Sequence, residues 1–215
     1  MTEQHFTLDP YAARSCELKT FNAFVPGLVA PERRVPLPPF FHDPDAVETD
    51  VFAGLRAGVQ SYVDLRALRR TPSADQEAAA LRALDEGYEL IIAPLLPRDF
   101  AGHRAGRPSA LLRRGDGYVP IVVKYHRVLE SASPEITLLY STLEEPYRPR
   151  SDPGRIFRWG SRLTAALQAA HLWRLLEATG RAASEPVVGL IGTERIAPSD
   201  AETRRQHLVI TWLNL

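Results

Sequence analysis

Residues 106–127 read GRPSALLRRGDGYVPIVVKYHR. A polar turn leads into an apolar run, a second turn falls at Gly115-Asp116-Gly117, and Val119 to Val123 run into Lys124. Glycine and aspartate between two strand-forming runs signal a hairpin, because they tolerate the backbone angles that a tight turn requires. The pattern predicts strands near 108–113 and 118–124, with the lysine at the far end of the second.

Outward from this hairpin, helices and strands alternate. ELIIA at 89–93 reads as a buried strand, and ADQEAAALRALDEG at 74–87 as a helix with acids near its start and Gly87 as its stop. Val63-Asp64-Leu65 reads as a short strand, and Asp43-Pro44 opens a helix over about 45–57. A proline-rich connector occupies 25–43, and a short helix over 11–23 has Ala12, Cys16 and Ala23 on its apolar side. On the other side, ITLLYST at 136–142 is a strand and 144–152 a loop. A long helix follows from Arg158 to Thr179, its apolar stripe set by Leu163, Leu167, Ala170, Trp173 and Leu176. Strands at 187–191 and 207–213 flank a polar loop at 194–206. The expectation is one α/β domain over 1–215, a mixed central sheet flanked by helices. The chain ends right after an apparently central strand, so a protein truncated at its C-terminus or split is also expected.

Composition narrows the partners. The net charge is zero, which argues against wholesale coating of a nucleic acid, so the distribution of charge matters more than its sum. Arg98 to Arg127 holds seven Lys/Arg and two Asp, and Arg148 to Arg162 holds five Arg and one Asp. Either segment is suited to a phosphate backbone. Without a long apolar run or a signal-peptide pattern, no membrane association is expected, and the lone Cys16 makes the cytoplasm the expected compartment. One cysteine cannot hold an iron–sulfur cluster, and GLIGTE at 189–194 lacks the lysine of a phosphate loop.

Six pieces of the chain, in order, carry a resemblance: YAARSCELKTFNAF at 11–24, GHRAGRPSALL at 102–112, GYVPIVVKYHRVLE at 117–130, HLWRLLEATG at 171–180, GLIGTE at 189–194, and the closing ITWLNL. Together they resemble the RecB-like nucleases of the PD-(D/E)XK superfamily, over nearly the whole length. The resemblance implies a restriction-endonuclease-like fold and hydrolysis of DNA phosphodiesters with Mg²⁺ or Mn²⁺. Lys124 matches the lysine of the family's acid-x-lysine motif and would be the catalytic amine. The acid of that motif falls on Val122, the aspartate of the family's Pro-Asp falls on Ser109, and the acid of its terminal strand motif falls on Asn214. For the upstream helix glutamate, Glu48 and Asp50 are the nearest matches, and Gln168 and Trp173 stand near a glutamine and an aromatic of related folds.

A hard divalent cation needs carboxylate or carbonyl oxygens. Valine offers none and serine is a poor neutral ligand, so no metal-binding residue is assigned. Asp116 is rejected as a substitute because the strand carries it roughly 15 Å or more from Lys124. Arg104, Arg107, His126 and Arg127 are the candidate contacts to a nucleic acid, Arg107 by a bidentate grip on phosphate. Three functions follow: a RecB-like nuclease with a degenerate metal site, a noncatalytic DNA-binding module, or a structural or regulatory subunit of a protein partner.

Overall fold

The computed structural model describes residues 6–10, 12, 17–22, 25, 27–28, 44–197 and 205–215. Cys16 and all but residues 25, 27 and 28 of the expected connector lie outside them. Within the helix expected over 11–23, residues 12 and 17–22 are described, and the latter form α1 (Glu17–Asn22).

In chain order the elements are α2 (Pro44–Ala57), β1 (Tyr62–Asp64), a 3-10 turn at Arg66–Arg70, α3 (Ser73–Glu86), β2 (Leu90–Ile92), β3 (Leu96–Asp99), β4 (Arg104–Gly106), β5 (Ala110–Arg114) and β6 (Gly117–Val123). Next come β7 (Leu129–Ser131), β8 (Thr137–Thr142), β9 (Arg150–Pro153), β10 (Arg155–Phe157), α4 (Trp159–Ala178), β11 (Val187–Ile191), β12 (Arg195–Ile196) and β13 (His207–Asn214). Proline stands first in α2, where its missing N–H costs nothing. Gly87 ends α3 in the left-handed conformation, φ 74°, with its N–H donating to the Leu84 carbonyl.

The described residues form a mixed sheet in the order β1-β2-β5-β6-β11-β13-β8-β9, with β12 added to β13. β1 and β2 are parallel, as are β6 and β11, and the other neighbours on this path are antiparallel. The hairpin read from 106–127 is β5–β6, registered Ala110↔Ile121 through Arg114↔Gly117. Every residue of β6 is buried, as its continuous apolar run requires of a strand covered on both faces. Pro120 stands between the isolated bridge Tyr118↔Ala182 and the start of the β11 ladder at Ile121, so a proline is accommodated in a central strand.

Side-chain alternation sorts the core. Ile91 and Leu111 pack with Ala79, Ala80, Ala83 and Leu84 of α3 and Leu175 and Leu176 of α4. Their neighbours Leu90, Ile92, Ala110 and Leu112 belong to a second cluster that includes Val51, Phe52 and Leu55 of α2. Close packing here depends on glycine. A Cβ on Gly189 of β11 would stand 2.8 Å from Ile210 Cγ2, and one on Gly117 would stand 2.5 Å from the Ala182 carbonyl.

Three readings need correction. On α4 the buried residues are Ala165, Ala166, Gln168, Ala169, Leu172, Trp173, Leu175 and Leu176, while Leu163 and Leu167 of the expected stripe are exposed. Polar residues such as Arg162, Gln168, His171, Arg174 and Glu177 are scattered around the helix among the apolar ones, so periodicity could not choose the inward face. The expected loop at 144–152 contains the start of β9, which pairs with β8. The stretch 98–106, where the sequence pattern shows no strand, holds the end of β3 and all of β4, an antiparallel pair too short and polar to show a period of two.

Candidate functional site

The end of β6 brings together side chains from both layers of helix. Continuing the β5–β6 register by one residue sets Ser109 opposite Val122, and the Val123 N–H donates to Ser109 Oγ at 3.0 Å. Alternation along the strand then sends Val122 and Lys124 to one face and Val123 and Tyr125 to the other. Lys124 is buried, and its Nζ donates to Oε1 of Gln168 on α4. Gln168 is buried because it shares the inward stripe of Ala165, Ala169 and Leu172, three or four residues apart.

Across the sheet, the Tyr125 hydroxyl donates to Glu48 Oε1 at 2.9 Å, and Arg69 Nη2 approaches Glu48 Oε2 at 3.3 Å. Glu48 lies one turn before Val51 and Phe52 on α2, so burial of those two fixes its direction. Asp50, the other helix acid considered, is exposed, its carboxylate 3.9 Å from Arg195. The choice between Glu48 and Asp50 is thus decided by which face α2 buries.

These groups line a cleft of about 220 Å³, walled by Asp9, Pro10, Glu48, Arg69, Arg107, Pro108, Ser109, Val122, Val123, Tyr125 and Gln168. Asp9 arrives on an N-terminal segment pinned to β4: the Leu8 N–H donates to the His103 carbonyl and the Ala105 N–H to the Leu8 carbonyl. Phe6 stacks on His103 with ring centroids 4.3 Å apart. His103 therefore braces this segment. Nothing in the sequence pattern singled out Asp9 or Arg69, since each reaches the cleft only through tertiary packing.

The remaining residues named from sequence scatter. Arg104 Nη1 donates to Asp99 Oδ2 at 2.7 Å, and Asp99 also accepts the Gly102 N–H, closing the β3–β4 turn. Neither Arg104, His126 nor Arg127 lines the cleft. The Arg127 carbonyl accepts from Arg162 Nε on α4. Asn214 is exposed at the end of β13, opposite Val187. Asp116 sits in the β5–β6 turn, and its Oδ1 accepts the Ser184 N–H at the opposite end of β6 from Lys124. Trp173 is packed in the core.

Four of the five arginines in the second basic segment have carboxylates opposite them, and the fifth, Arg162, donates to a carbonyl. Arg148 and Arg150 face Glu145, Arg155 faces Asp152, and Arg158 faces Glu130.

The donor set does not suit Mg²⁺ or Mn²⁺. Val122 is apolar, Ser109 Oγ already accepts an N–H, and Glu48 is engaged by Tyr125 and Arg69. Among the described residues no three His, Cys, Asp or Glu side chains group to hold a metal ion. Nor, among them, is any helix long and apolar enough to cross a membrane. No family model, curated protein or solved structure matches the chain.

Proposed function

We propose that the chain is a degenerate RecB-like nuclease that binds nucleic acid without hydrolysing it. The observation that carries this reading is the convergence of positions 109, 122 and 168 at one cleft, with Lys124 bonded to Gln168 beneath it. Those are the positions at which the resemblance implies two metal-binding acids, the lysine and a glutamine. The meander β2-β5-β6, followed by α4 and the parallel strand β11, supports the restriction-endonuclease-like form of the fold. Loss of catalysis follows from the chemistry of the replacements. Valine cannot ligate a hard cation, and a hydroxyl holding a backbone N–H is a weak substitute for a carboxylate.

Cleavage and binding of labelled single- and double-stranded DNA test the two halves separately. With Mg²⁺ or Mn²⁺ the folded protein is expected to leave both substrates intact, while binding in EDTA weakens steeply as salt rises. Metal-dependent cleavage abolished by Lys124→Ala would overturn the degenerate reading. Absence of DNA binding at low salt would overturn the binding half.

A further inference from the structure

Arg107 is held in a way that a metal-ligand role for the cleft does not use. Its Nη1 donates to the Ala93 carbonyl at 2.6 Å, and its Nη2 donates to Oε1 of Gln76 on α3. Both acceptors are neutral, and among the described residues no carboxylate pairs with Arg107. Of its basic neighbours, Arg98 faces Glu77, Arg104 faces Asp99 and Arg114 faces Glu185, while Arg113, which also donates to a carbonyl, is exposed to water. Burial, and then the charge of nearby Arg69, hold the Arg107 pKa below the usual arginine value. A half-buried cation lacking a counter-charge is unfavourable, and an incoming anion relieves that cost.

The surroundings are set before any ligand arrives. Ala93 has φ 53°, a conformation alanine rarely adopts, and its N–H donates to the Ser109 carbonyl at 2.9 Å. The same residue thus fixes both Ser109 and the Arg107 fork. Ser109 Oγ accepts from Val123, which leaves its hydroxyl proton to donate into the cleft. Arg69 lines the same wall. Glu48 is already engaged by Arg69 and Tyr125, and Asp9 lies on the N-terminal segment. Arg69 has Glu48 opposite it, which leaves Arg107 as the cleft-lining guanidinium with no carboxylate opposite it among the described residues.

We propose that Arg107, Arg69 and the Ser109 hydroxyl form a metal-free seat for a phosphate oxyanion. Where a nuclease of this type would hold a cation between acids, this cleft offers a planar fork, a second guanidinium and a hydroxyl to the anion itself. Phosphate as the anion rests on the nucleic-acid reading above. The seat as an anion site rests on Arg107 alone.

The test uses the full chain in EDTA at constant ionic strength. Its probes are inorganic phosphate and one single-stranded DNA oligonucleotide carrying either a 5′-phosphate or a 5′-hydroxyl. Calorimetric titration is expected to show binding that falls tenfold or more in Arg107→Gln and in Arg107→Lys, which keeps the charge and loses the fork. Arg174→Gln, on the exposed side of α4, is the charge-matched control and is expected to bind like the parent. Preference for the 5′-phosphorylated strand assigns the seat to a terminal phosphate, and equal Arg107-dependent binding of both strands assigns it to the backbone. A brace alone would lower thermal stability and leave binding unchanged. Phosphate is therefore also expected to raise the parent's melting temperature and not that of Arg107→Lys. Oligonucleotide binding equal in parent and variants overturns the seat and leaves the nucleic-acid reading standing. Arg107-dependent binding of inorganic phosphate without oligonucleotide binding supports the seat and overturns that reading. No binding of any probe overturns both. If Arg107→Gln does not fold, Arg107→Lys and Ser109→Ala carry the test.

Discussion

Replacing the buried Lys124–Gln168 pair one side at a time is expected to cost more than replacing it whole. Lys124 and Gln168 are 7% and 5% exposed, and Nζ donates to Oε1. A hydrogen bond to a charged group contributes about 1.5–3 kcal/mol, and a buried polar group stripped of its partner costs about 1–3 kcal/mol. Gln168→Leu takes this acceptor away from the buried ammonium and is expected to destabilise by about 2–3 kcal/mol. Lys124→Met leaves the amide oxygen without its donor and is expected to cost about 1–3 kcal/mol. In Lys124→Met/Gln168→Leu both polar groups are gone and the volumes nearly kept. The double variant is therefore expected to be more stable than the Gln168→Leu single, with a coupling energy of about 1.5–3 kcal/mol. Urea denaturation followed by circular dichroism measures this. With a slope of about 2–3 kcal/mol per M, the Gln168→Leu midpoint falls by about 1 M, and the double variant falls short of the two single shifts summed by about 0.5–1.5 M. Additive costs, with coupling below about 0.5 kcal/mol, would refute the reasoning that this hydrogen bond couples the two groups inside the core.

Gly117→Ala drives a methyl to 2.5 Å from the Ala182 carbonyl, a backbone atom that cannot rotate away, so a loss of about 1–3 kcal/mol is expected in the same denaturation assay. Trp212→Phe removes the Nε1–H that donates at 2.9 Å to the fully buried Ser141 Oγ, and about 1–3 kcal/mol of stability should go with it. The Gly102 N–H and, against an opposing push from burial, Arg104 hold the Asp99 carboxyl below the usual aspartate range. A pKa lower in the folded than in the unfolded chain contributes stability that is present above the unfolded value, about 3.9, and is lost as pH falls through the folded one. Asp99→Asn is thus expected to flatten the fall of melting temperature with acidification below about pH 4, and an unchanged slope would remove Asp99 from the acid response.

Much of the fold was legible because its patterns are local. Turn chemistry at Gly115-Asp116-Gly117 gave the hairpin, Gly87 gave the end of α3, and the apolar run at 207–213 gave β13. Lys124 was found by its position at the end of a strand, and Ser109 and Val122 were singled out in the same stretch. Strand alternation and hairpin register, both short-range properties, bring those three together. The sheet order, the burial of Gln168 and the entry of Glu48, Asp9 and Arg69 into the cleft required tertiary structure. α2 approaches the β6 end from one face and α4 from the other, joining residues separated by most of the chain. Charge pairing was equally hidden. The sequence by itself determined which residues carry positive charge. Only the tertiary structure decided that Arg104, Arg148, Arg150, Arg155 and Arg158 have carboxylates opposite them while Arg107 has carbonyl oxygens, because counter-charges are chosen by distance in space and sequence records only distance along the chain.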